Sequence, residues 1–385
     1  VTSFADIRPE QIRFDCRFYS GYKPCHRHDG CPDCREFRPR GTEILIIKLA
    51  AMGDVLRTKS LLPGLKRRYP ESWITWLTAP GSEALVRDPL VDEIRTLTPR
   101  GLGALDGRRF HFLACLDKDA EALALSRRLQ AGRKAGYAPT DFNTVTVWNS
   151  GAIYALQLGL SDDLKYRRNR LTHPQILYRM LELDYEGDGY GLTVPEAARA
   201  TVAARAAELR LAAGRPRVGL NTGCGPVFRT KQWTVEAMAE LATRLVRHHT
   251  ADVVLLGGPS ERALHADILA RIEPDVRPHV LDSGTDNPLE VFFAIVETLD
   301  VVATADTLAM HVAIALQRPV VAWFGPTCEQ EVDLFGRGEK IVTDYACSPC
   351  YLKTCDVRPS CMQALTAARV EEAVARVLKS EQVRT

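Results

Sequence analysis

Eight of the chain's eleven cysteines stand in two tight groups. Cys16, Cys25, Cys31 and Cys34 lie near the start, and Cys347, Cys350, Cys355 and Cys361 near the end. Four thiols in a short stretch are the ligand set of a tetrahedral zinc or iron site. The opening residues carry no pattern of a secretory signal, so clustered cysteines read as metal ligands rather than disulfides. His26 and His28 offer nitrogen donors beside the first group.

Other candidates sit where apolar runs end. The run 44–49 ends in Lys48 and Leu49, and Gly53 and Asp54 follow. Asp54 opens a helical stretch, where an aspartate is either an N-cap or a carboxylate base facing a cleft. After 217–221 come Thr222, Gly223 and Gly225, then Lys231 ahead of a helix. Backbone N–H groups with a lysine suit a phosphate. Glu261 follows the Gly257-Gly258 turn and either caps a helix or takes ribose hydroxyls. Asp306 and Thr307 stand at a helix start, with His311 in its first turns, a position suited to an anion.

The elements that must position these residues alternate in type. Apolar runs at 44–49, 73–79, 94–97 and 110–116 read as buried strands, with helical stretches at 55–69, 82–87 and 120–131 between them. A Gly- and Asp-rich segment at 183–193 marks a junction. Strands at 217–221, 253–257, 301–304 and 319–324 then alternate with helices at 235–248, 261–272, 289–298 and 309–316, and 370–378 reads as a last helix. This is α/β, with two doubly wound parallel sheets facing a cleft. The division is a Cys-rich appendage at 1–42, an amino-terminal domain at 43–190 and a carboxy-terminal domain at 191–385, with a Cys finger at 347–361.

Of the 385 residues, 46% are hydrophobic and 25% charged, which excludes a disordered chain. No apolar run approaches the length of a spanning helix. Net charge is +2, with 50 basic against 48 acidic residues, so no nucleic-acid partner is expected. Basic clusters at 66–68 and 165–170 are either solvated faces or a landing site for an acidic substrate or membrane surface.

Together the segments ILIIKLAAMGDVLRT, TKQW, GGPSE and ADTLAMHVAIALQRPVVAWFGPT, and the tail CSPCYLKTC, resemble glycosyltransferase family 9, the ADP-heptose heptosyltransferases. The resemblance covers 43–378. It implies a GT-B fold, two Rossmann-like domains, with the acceptor held by the first and the nucleotide-sugar donor by the second. It implies an inverting transfer of heptose from ADP-heptose to a lipopolysaccharide core or a surface protein, with no catalytic cofactor. Asp54 takes the base position and Lys48 its neighbouring lysine. Lys231 meets donor phosphates, with Thr222 in the same loop. Glu261 takes the ribose carboxylate position, and Asp306, Thr307 and His311 match the donor loop. Leu308 replaces that loop's glycine. Some relatives carry an iron-binding cysteine finger. The implied location is cytoplasmic, peripheral to the inner membrane face. The rival readings are a GT-B transferase or epimerase for another nucleotide sugar, and a metal-stabilised scaffold or sensor without catalysis.

Overall fold

A computed structural model describes residues 8–382 except 20, 22–24, 26, 28–30, 32–33, 210–213 and 226. His26 and His28 lie outside the described residues. The first sheet contains β1 (Thr42–Ile47), β2 (Ser72–Thr78), β3 (Glu93–Thr96), β4 (Arg109–Cys115), β5 (Gln130–Pro139) and β6 (Val145–Val147). Their order is β3-β2-β1-β4-β5-β6, parallel except for β6 against β5. The second sheet contains β7 (Arg217–Asn221), β8 (Asp252–Leu256), β9 (Val280–Asp282), β10 (Val301–Ala305), β11 (Val320–Phe324) and β12 (Gly338–Val342). Its order, β12-β11-β10-β7-β8-β9, is all parallel and repeats the first sheet's winding.

The central strands are apolar along their length because helices cover both faces. Ile44, Leu45, Ile46 and Ile47 are fully buried, as are Val301, Val302 and Ala303. In each sheet the winding reverses once, between β1 and β4 and between β7 and β10. Such reversals leave a crevice beyond the carboxyl ends of the strands, where ligands bind. The candidate loops after β1, β7 and β10 all open at these two points.

The two halves meet through helix Met52–Thr58 of the first and helix Leu308–Ala315 of the second. Their contact is close at Gly53, where an added Cβ would stand 2.8 Å from the His311 ring. The last helix, Ala367–Gln382, packs on β10, β11 and β12.

The structure departs from the sequence expectation in a few places. The stretch at 55–69 is two helices, Met52–Thr58 and Leu61–Arg68. The break buries Lys59, whose ammonium meets the Arg87 carbonyl at 3.0 Å and Asp88 at 3.1 Å. β5 starts within the stretch expected to be helical, and β6, β9 and β12 were not expected at all. β5 carries Arg133 and Lys134, and β12 carries Glu339 and Lys340, so neither presents an unbroken apolar run.

Candidate active site

Asp54 is the third residue of its helix, and the N-cap is Ala51 without a side-chain bond. The capping reading of Asp54 is therefore not met. Its carboxylate pairs instead with Arg57, one turn on, at 2.7 Å. The Asp54 side chain is 41% exposed, while that of Arg57 is 14% exposed. Burial would raise the Asp54 pKa, but Arg57 and then Lys48, with smaller help from His173 and His311, hold it well below the usual carboxylate range. Asp54 is thus ionised at neutral pH.

Lys48 is buried, and its ammonium is 3.2 Å from Asp117 and also donates to the Ala50 carbonyl. The same Asp117 oxygen accepts the Leu49 N–H at 2.8 Å and the Ala50 N–H at 3.1 Å. Lys48 and Asp117, from the ends of β1 and β4, thereby fix the turn that delivers Asp54. In this arrangement Lys48 acts on the turn and, through its charge, on Asp54.

On the facing half, Thr307 is the N-cap of helix Leu308–Ala315. Its hydroxyl lies 3.0 Å from that of Thr304 and accepts from Asn221 at 3.2 Å. Asn221 also donates to the Gly223 carbonyl at 2.8 Å, so one amide ties together the loops after β7 and β10. Lys231 donates to the Asp306 carbonyl at 2.6 Å, which places its ammonium beside this helix start. A cation and a helix N-terminus at one spot favour a bound anion.

His311 is buried, and burial, with Arg57 nearby, lowers its pKa to about 4, so the ring is neutral. Its Nδ1 pairs with the Tyr190 hydroxyl at 2.9 Å. The 3.9 Å separation from Asp306 is therefore no ion pair at neutral pH. Glu261 accepts the Gly258 N–H at 2.8 Å and lies over Gly223, where an added Cβ would come within 2.4 Å of its carboxyl carbon. Glycine at 223 is what lets this carboxylate approach the loop.

Thr222, a donor-binding candidate by the family resemblance, has its hydroxyl engaged inside the protein. It is buried, and its hydroxyl is spent on the Leu256 carbonyl at 3.1 Å and His265 at 3.1 Å. Leu308 is the first helical residue and packs against the core. It is absent from the positive-φ residues, so the backbone there has no need of glycine.

Four residues of the site went unnoticed in the sequence: Arg57, Asp117, His173 and Tyr190. Arg57 was legible as an i,i+3 partner of Asp54. Asp117 follows an expected strand at its carboxyl end, which is itself a signal. His173 begins helix His173–Leu181, and burial together with Arg57 pushes its pKa well down. Tyr190 carried no signal, because only the tertiary fold brings it to His311.

The basic clusters are largely engaged within the protein. Lys66 meets the Ser72 carbonyl, and Arg67 meets Asp188 at 2.9 Å. Arg167 donates to the carbonyls of Ser348 and Ala346 at 3.1 and 3.0 Å. The Lys165 ammonium lies 4.0 Å from the centre of the Tyr351 ring, and Tyr166 stacks on Tyr351 at 5.3 Å. This second cluster thus holds the carboxy-terminal finger. Cys347, Cys350, Cys355 and Cys361 line one cavity of about 270 Å³ with Arg229 and Thr230, next to Lys231. All eleven cysteines are free thiols. Among the described residues no three His, Cys, Asp or Glu side chains stand at metal-holding positions, so neither cysteine group is a preformed site.

The family model of glycosyltransferase family 9 (heptosyltransferase) matches residues 157–360. The chain belongs to glycosyltransferase family 9. It is accordingly a glycosyltransferase, and its two wound sheets are the halves of a GT-B fold. Family relatives include lipopolysaccharide heptosyltransferase 2 of Salmonella typhimurium, 26% identical over 306 residues, 74% of this chain and 83% of that one. Lipooligosaccharide heptosyltransferase 2 of Haemophilus influenzae is 28% identical over 305 residues, 74% of this chain and 84% of that one. Among solved structures, the Escherichia coli ADP-heptose lipopolysaccharide heptosyltransferase II superposes with a TM-score of 0.65 at 20% identity, covering 89% of this chain and all (100%) of the other. The iron-containing heptosyltransferase TibC superposes at 0.54 with 12% identity, covering 89% of this chain and 77% of the other.

Proposed function

We propose that this transferase moves heptose from ADP-heptose to a lipopolysaccharide or lipooligosaccharide inner-core glycan, with inversion at the anomeric carbon. The observation that carries the reading is the close Gly53–His311 contact, which sets the helix that carries Asp54 against the helix whose start holds Thr307 with Lys231 beside it. The names of the relatives support the donor and the acceptor. Asp54, already ionised, takes the proton of the acceptor hydroxyl as that oxygen attacks the sugar. The leaving ADP develops negative charge beside Lys231 and the helix start at Thr307, which stabilise it by fixed dipoles and charge. Glu261 is assigned the ribose hydroxyls, and Asp306 the sugar. Thr222, with its hydroxyl already engaged, supports the loop.

The reaction runs without a divalent metal in the cleft, since lysine and the helix dipole serve the leaving group. The finger cysteines Cys347, Cys350, Cys355 and Cys361 would hold a structural zinc or iron beside the donor loop. The enzyme is assigned to the cytoplasmic face of the inner membrane. None of the described helices is long and apolar enough to cross a membrane. The test is incubation with ADP-heptose and a heptose-deficient core oligosaccharide, followed by mass spectrometry. A product heavier by one heptose, formed in EDTA, is expected. Transfer only from a UDP-sugar overturns the donor assignment.

A further inference from the structure

The amino-terminal appendage lies far from this chemistry. Arg17 donates to the Ser72 carbonyl at 2.7 Å, to Asp92 at 2.6 Å and to the Pro39 carbonyl at 3.0 Å. Arg17 and Arg40 both lie over the Trp73 ring, at 5.4 and 4.4 Å. Ser72 and Trp73 begin β2, so Arg17 and Arg40 sit at the strand ends opposite the cleft.

Inside it, Cys16, Cys25, Cys31 and Cys34 line one cavity of about 20 Å³, room for about one small guest. All four are free thiols. Cys16 is buried and bridges Pro39, which gives the set one rigid corner. The Cys34 N–H donates to the Cys31 carbonyl at 3.2 Å, which ties the two ends of the Cys-x2-Cys pair together. The Arg27 N–H points at the Cys25 sulfur at 3.4 Å. Arg13 and Arg27 also line the cavity, each stacked on a phenylalanine, Phe37 and Phe18 at 4.8 Å. Two guanidiniums offset the double negative charge that four thiolates leave on a divalent cation.

We infer that Cys16, Cys25, Cys31 and Cys34 close around this cavity to bind one tetrahedral zinc or iron(II) ion that fastens the appendage to the first half. Each thiol releases its proton to solvent as its sulfur joins the metal. Because the thiols do not already stand at metal-holding positions, the cation draws the four sulfurs together rather than filling a finished cage. This site is separate from the carboxy-terminal finger and from the transferase reaction.

The test is elemental analysis of the full chain purified under reducing conditions, alongside two double variants. Cys31→Ser with Cys34→Ser should lose one metal equivalent per chain while keeping nucleotide affinity. Cys347→Ser with Cys350→Ser should keep that equivalent. The element found separates zinc from iron. Equal metal content in wild type and the Cys31/Cys34 variant overturns the site. Should that variant not fold, alkylation of the native wild-type chain decides: the four thiols should react only after chelator is added. Equal labelling with and without chelator, or recovery of these cysteines as disulfides, overturns the proposal.

Discussion

Asp54 and Arg57 stand 2.7 Å apart, and that pairing governs how the proposed base responds to pH. Arg57 is the largest of the charges that hold the Asp54 pKa down. A base works when ionised, so a lowered pKa keeps it active far into acid. In Arg57→Gln the pKa rises, and the acid limb of kcat/KM should move to higher pH. Each unit of that movement costs about tenfold in rate below the limb. A pH–rate series on wild type and variant checks this; limbs that coincide contradict the pairing. Asp117 makes a different prediction. Asp117→Ala leaves the buried Lys48 ammonium without its carboxylate and two turn N–H groups without their acceptor. A loss of about 3–5 kcal/mol in denaturant unfolding is expected. At this scale the sequence placed Asp54, Lys231 and Asp306 in segments that follow strand ends, and the structure has them after β1, β7 and β10. Nothing local in the sequence reveals that His265 and the Leu256 carbonyl claim the Thr222 hydroxyl.

The decisive elements are the two helices that cross at Gly53. An added methyl there meets His311 at 2.8 Å and must push helix Leu308–Ala315 from helix Met52–Thr58. Gly53→Ala should lower kcat by about 10²-fold, since a displacement of about 1 Å between reacting groups costs that much. Steady-state kinetics with thermal melts separate this from unfolding. Leu308→Gly removes core contact from a helix start whose backbone suits any residue. A loss of about 2 kcal/mol without tighter donor binding is expected, read from melts and calorimetric titration. The alternation of apolar runs and helical stretches made both sheets legible, because buried parallel strands are apolar on both faces. The helix crossing was not legible, since it depends on contacts between segments some 260 residues apart. β5 was hidden for a related reason: its first half is part-exposed and charged, and its apolar half alone, AGYAP, has no strand signature.

Across the whole molecule, two sheets of the same winding are joined at the Gly53–His311 contact, and the proposed function gives Asp54 on the first half the acceptor and Lys231 on the second the donor. That division of labour is the central claim, and the Asp54→Asn variant tests it most directly. Asparagine keeps the shape at 54 but cannot take a proton, while Lys231, Glu261 and Thr307 are untouched on the other half. The measurement is single-turnover transfer from ADP-heptose to a heptose-deficient core, with ADP affinity from calorimetry on the same preparations. The account predicts a turnover lower by ~10²–10⁴-fold, as for loss of a general base, with ADP affinity unchanged. Turnover near wild type, or ADP affinity lost together with turnover, would contradict it.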